Sequence, residues 1–71
     1  MKEVKSSNIF AVGWTDANGL MITFKDKAGK PSGTYHYPDA PKSVHDELMG
    51  ADSHGRHFLA HIKNAYKAVK Q

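Results

Sequence analysis

The chain has no cysteine. That absence removes disulfides, thiolate metal sites and thiol catalysis together, and it fits a reducing compartment. No apolar run approaches the roughly 20 residues needed to cross a bilayer, and Met1 to Ser7 lacks the apolar core of a signal peptide. The expectation is a soluble, cytoplasmic protein with no membrane contact. Also missing are a phosphate-binding glycine loop, a dinucleotide fingerprint and a Ser-His-acid order, and the carboxylates Asp39, Asp46, Glu47 and Asp52 are dispersed. Neither catalysis nor a cofactor is therefore expected. With only 71 residues, the chain can make one domain, 1–71, ordered over about 6–68, with a modest core and little room for a buried active site. There is no internal repeat and no low-complexity tract.

What is present reads first as strands. Ile9 to Trp14 is β-prone, Asp16-Ala17-Asn18-Gly19 is a turn cluster, and Leu20 to Phe24 alternates. In the resulting hairpin, a two-residue Asn18-Gly19 turn would separate Trp14 and Val12 from Leu20, Ile22 and Phe24. A three-residue loop, Ala17 to Gly19 with Gly19 left-handed, instead sets Trp14 opposite Ile22 and Val12 opposite Phe24. The second choice gathers the large apolar side chains on one face and is preferred. A polar loop, Lys25 to Ser32, then leads to Gly33-Thr34-Tyr35-His36-Tyr37, a strand closed by Pro38. Tyr35 and Tyr37, at i and i+2, share a face with Ile22 and Phe24, while Ala11, Met21, Thr23 and His36 fall on the solvent side.

Two helices follow. Pro41 suits a first turn before Lys42 to Met49, and Gly50 is a stop. Ser53 is the expected N-cap of a longer helix, whose apolar stripe is Phe58, Ile62, Ala65, Tyr66 and Val69, with Leu59 at its margin. The fold class is α+β: a three-stranded antiparallel β-meander with two C-terminal helices packed on one face, in the order β-β-β-α-α.

Ser6-Ser7-Asn8-Ile9, Tyr35-His36-Tyr37, the Pro41 turn, and Ala51-Asp52-Ser53-His54-Gly55-Arg56-His57-Phe58 followed by Ile62 occur here in that order. In this the chain resembles the KTSC domain over about Ser6 to Tyr66. That small family occurs as stand-alone bacterial and phage proteins and as a C-terminal appendage of some lysyl-tRNA synthetases, and the association implies a link to RNA. Two departures stand out: the Lys25 to Ser32 loop is long for the pattern, and Ala40 stands where a larger aliphatic is expected.

The candidate contact residues are mostly cationic. On a continuous last helix, Arg56, Lys63, Lys67 and Lys70 lie at about 0°, 340°, 20° and 320°, one narrow stripe that can track phosphates. The alternative role for such residues is to complement the helix dipole and keep the protein soluble. The net charge of +3 and pI of 9.3 are compatible with RNA or another polyanion. Tyr35 and Tyr37 are secondary candidates for base stacking, although their register points them at the helices, with hydroxyls emerging at the rim. Ser53 and Gly55 are secondary candidates for anion contact at a helix start; the structural alternative is an N-cap and a glycine that gives clearance. His54, His57 and His61 lie within about 60° on one helix side. His57 is a further secondary candidate for anion contact, but the row lacks the Glu and Cys partners of a metal motif, so no metal is expected. A second function class remains: a protein-interaction or self-association module that docks through an unpaired edge strand.

Overall fold

The computed structural model describes residues 1–71. Its elements are β1 (Lys2–Glu3), β2 (Ile9–Thr15), β3 (Gly19–Lys25), β4 (Pro31–Tyr37), α1 (Lys42–Met49), α2 (His54–His61) and β5 (Val69–Lys70). The α+β class with an antiparallel sheet and two helices is as expected, but the sheet has five strands in the order β1-β2-β3-β4-β5 rather than three. The two extra strands are short edge additions. Lys2 and Glu3, expected in a loose lead-in, pair with Val12 and Ala11. Val69 and Lys70, expected on the last helix, pair with His36 and Tyr35.

The β2–β3 hairpin has the expected faces in a different register. Trp14 lies opposite Leu20 and Val12 opposite Ile22, two residues away from the expected pairing. An even shift preserves the parity of a strand, so Val12, Trp14, Leu20 and Ile22 still share the apolar face. Gly19 does adopt a left-handed conformation, with φ of 70°. However, it already pairs with Thr15, which leaves Asp16-Ala17-Asn18 as the loop. A bulge between Ile9 and Ala11 then sets Ile9 opposite Phe24, turning Ile9 into the core, where it is fully buried.

The loop expected at Lys25 to Ser32 is shorter than that, because Lys25, Pro31 and Ser32 belong to strands. Asp26 ties the turn together. Its carboxylate accepts from the Ala28 and Lys30 amides, each at 2.9 Å, and Gly29 turns at φ of 80°.

Nine residues form the core: Ile9, Val12, Leu20, Ile22, Tyr37, Ala40, Leu48, Phe58 and Ile62. Each large apolar side chain buried here contributes about 1.5–3 kcal/mol relative to leaving it in water. α1 lies against β2 and β3 and contributes Leu48. Ala40 is buried, and its carbonyl accepts a hydrogen bond from the Trp14 indole at 3.0 Å. The small residue thus sits under the indole, where a larger aliphatic was expected.

The face expected to be solvated is partly covered. Ala11 and Thr23 are buried. The Met1 side chain reaches the other side of the sheet, its sulfur 3.8 Å from Thr23 Oγ1, and the Thr23 and Thr34 hydroxyls are 2.7 Å apart.

The largest difference concerns the last helix. α2 stops at His61, and the amides of both Ile62 and Lys63 donate to the Phe58 carbonyl. Ala65 and Tyr66 then fold back on the Ile62 carbonyl. This reversal brings Val69–Lys70 beside β4, so strand pairing overrides the helical period read from the sequence. Of the expected stripe, Phe58 and Ile62 are buried and Tyr66 is half-buried against the core, whereas Ala65 and Val69 are exposed. No helix is long and apolar enough to cross a membrane.

Candidate functional site

Because α2 is short, it roofs only part of the apolar sheet face. Phe58 covers the Tyr37 and Phe24 end, with ring centroids 6.1 Å and 5.3 Å away in edge-on geometry. Beyond it the chain turns away, and a groove of about 590 Å³ remains over Tyr35. Its lining includes Phe24, Gly33, Tyr35, Tyr37, Phe58, Lys63 and Lys70. Lys63 comes from the turn after α2, whereas Lys70 lies directly opposite Tyr35 on β5.

The tyrosines differ in exposure. Tyr37 is 2% exposed, and burial, with Tyr35 as a lesser contributor, pushes its hydroxyl up to about 12. Tyr35 is half-buried and stands edge-on to Phe24 at 5.8 Å. Both point inward as their register implied, but only Tyr35 has a substantial part at the surface. Neither Lys63 nor Lys70 is within salt-bridge distance of a carboxylate, and no acidic residue lines the groove. A concave surface with an aromatic floor and two unpaired cations suits a ligand that has a flat ring and negative charge.

The expected single cationic stripe does not exist, because the helix that would carry it ends at His61. Lys63 and Lys70 meet at the groove, while Lys67 is exposed and lines no cavity. Arg56 lies elsewhere, in a second cleft of about 470 Å³ between Lys5–Asn8 and Asp52–Arg56. Ser53 caps α2 there, its hydroxyl accepting from the Arg56 amide at 3.3 Å. Gly55 gives clearance: a Cβ on it would stand 2.5 Å from Asn8 Oδ1. Asn8 is in turn held by Ser6, whose hydroxyl donates to that same oxygen at 3.0 Å.

The histidine row is also divided. His54 Nδ1 lies 2.9 Å from the Leu48 carbonyl, joining the two helices, while His57 and His61 lie with ring centroids 4.6 Å apart. No group of three or more metal-ligating residues is present. Sequence reasoning missed Phe24 and Gly33 as parts of a site. Gly33, two residues before Tyr35 on the same strand, was the available signal.

The KTSC domain family model matches residues 5–66. The chain belongs to the KTSC domain family. A protein of Tsukamurella paurometabola is 34% identical over 70 residues, which is 97% of this chain and 97% of that protein. The crystal structure of a KTSC domain protein from Yersinia pestis matches with a TM-score of 0.84 and 34% identity, over 99% of this chain and 93% of that one. The five-stranded sheet with two helices is thus the architecture in which this KTSC chain sets out its groove and its cleft.

Proposed function

We propose that this KTSC domain is a small non-catalytic module that binds nucleic acid in the groove over Tyr35. RNA is the polynucleotide implied by the family's association with lysyl-tRNA synthetases. One observation carries the reading: Lys63 and Lys70, both free of carboxylates, flank a half-exposed aromatic ring in a groove with no acidic lining. Phosphates would meet the ammonium groups, with affinity that depends on salt.

The alternative, a protein-interaction or self-association module working through an edge strand, draws on edges of only two residues each, β1 and β5. So little backbone gives a weak template for strand addition. Such a complex would persist at high salt, unlike binding through two lysines.

The test is fluorescence anisotropy with the 71-residue chain and a labelled single-stranded RNA. Two neutralised phosphates give a salt slope of about −1.4, so affinity should fall roughly seven-fold between 50 and 200 mM salt. Lys63→Glu combined with Lys70→Glu should abolish binding, while Lys67→Glu should weaken it only slightly. Binding that survives the Lys63/Lys70 double reversal, or that ignores salt, would refute the proposal.

A further inference from the structure

Gly33 is an unusual choice for the middle of β4. A glycine inside a strand weakens it through lost entropy and missing packing. Its backbone does not require glycine, since only Gly19 and Gly29 have positive φ. Nor does crowding require it. A Cβ there would stand 3.6 Å from Tyr35 Cε1 and 4.0 Å from Lys70 Cε, ordinary contact distances. What the missing side chain does is leave open the space beside the Tyr35 ring, on the groove side, between that ring and the Lys70 stem.

The neighbouring geometry points the same way. The β3–β4 register shifts between Thr23 and Lys25, so that Ser32 and Gly33 both fall opposite Phe24, as in a bulge. Bulges re-aim side chains and are frequent beside functional sites. The Tyr35 ring is already braced edge-on by Phe24, itself braced by Phe58. A ring held in place gives up little freedom when a ligand stacks on it.

We infer that the groove is a stacking site for one unpaired nucleobase, that Lys63 and Lys70 hold the adjoining phosphates, and that Gly33 is the residue that makes room for the base. This deepens the nucleic-acid reading above and rests on it. The ligand class is single-stranded nucleic acid, because in a duplex the flat faces of the bases are covered by their neighbours. Recognition by stacking tolerates many sequences.

The experiment measures binding of the whole chain to three probes at low salt: a single-stranded RNA octamer, an abasic octamer with the same sugar-phosphate backbone, and the octamer annealed in a duplex. The octamer should bind about ten-fold or more tighter than either of the others. Gly33→Val should remove that advantage. Tyr35→Phe should keep the advantage and Tyr35→Leu should lose it. Circular dichroism establishes that each variant folds, and if Gly33→Val does not, the Tyr35→Phe and Tyr35→Leu pair decides. Equal binding of octamer and abasic probe, or a folded Gly33→Val that binds the octamer as tightly as the parent, would overturn the stacking site. If Lys63→Glu with Lys70→Glu still abolished binding in that case, the polyanion reading would survive alone. No binding to any probe would remove both.

Discussion

Gly19 and Gly29 offer a matched pair of perturbations. Both are left-handed, with φ of 70° and 80°. They differ in what surrounds them. A Cβ on Gly29 would meet nothing within 4 Å, whereas one on Gly19 would overlap the Tyr37 carbonyl oxygen and lie 3.0 Å from both Cα and O of Pro38. These obstacles are backbone, and Tyr37 is held by its pairing with Leu20, so a rotamer change cannot relieve them. Alanine at either position costs about 1–2 kcal/mol for its left-handed conformation. At Gly19, overpacking adds about 1–3 kcal/mol more. A chain of this length has a total stability of roughly 4 to 10 kcal/mol. Gly29→Ala should therefore lower the denaturant midpoint modestly with an unchanged slope, while Gly19→Ala should remove about half of the stability. Urea unfolding followed by Trp14 fluorescence reads both. If the two variants lie within about 0.5 kcal/mol of each other, the close approach of Gly19 to the end of β4 does not exist in solution and the β3–β4 pairing at Leu20 and Tyr37 is wrong.

Trp14→Phe removes the donor to the Ala40 carbonyl, which is left buried without that partner, so stability should drop by about 1–3 kcal/mol in urea unfolding; no change would place the indole elsewhere. Tyr37 ionises near 12 in the folded chain against about 10 unfolded, so the folded state holds the proton more tightly. Its contribution to stability is fully present below pH 10 and fades as pH rises towards 12, and Tyr37→Phe should abolish that part of the pH dependence. Ultraviolet titration at alkaline pH should show one late phenol, missing in the Tyr37→Phe variant. Val69→Pro should detach β5 but leave the nine-residue core folded, since Val69 is 40% exposed and contributes nothing to that core. Amide exchange should quicken at Lys70 and Gln71 and at the β4 amides facing them, and global unfolding on this substitution would contradict it.

The parts of the fold that local chemistry dictates were legible in the chain. The Pro41 turn, helix Lys42–Met49 and the Ser53 cap fall where the residues place them, because caps and stops are set by a few neighbouring side chains. The shared face of Val12, Trp14, Leu20, Ile22, Tyr35 and Tyr37 was legible too, since alternation fixes parity. Register was not, because a bulge at Phe10 and the early pairing of Gly19 leave the alternation between Val12 and Ile22 unchanged. The end of α2 was hidden for another reason. Ala65, Tyr66 and Val69 continue a helical period, but Val69 is β-branched and finds a strand partner in His36, a long-range event that periodicity does not contain. The expected cationic row failed with that helix. Two of its members, Lys63 and Lys70, meet again by tertiary folding, at a ring the sequence marked as core and a glycine it marked as strand.

The most direct test of the proposed site is a nuclear magnetic resonance titration of the labelled chain with a single-stranded RNA octamer at low salt. Shift changes should concentrate on Gly33, Tyr35, Lys63 and Lys70 and spare Lys5–Asn8 and Asp52–Arg56. Changes confined to that second cleft, or none at saturating RNA, would contradict the assignment of the Tyr35 groove.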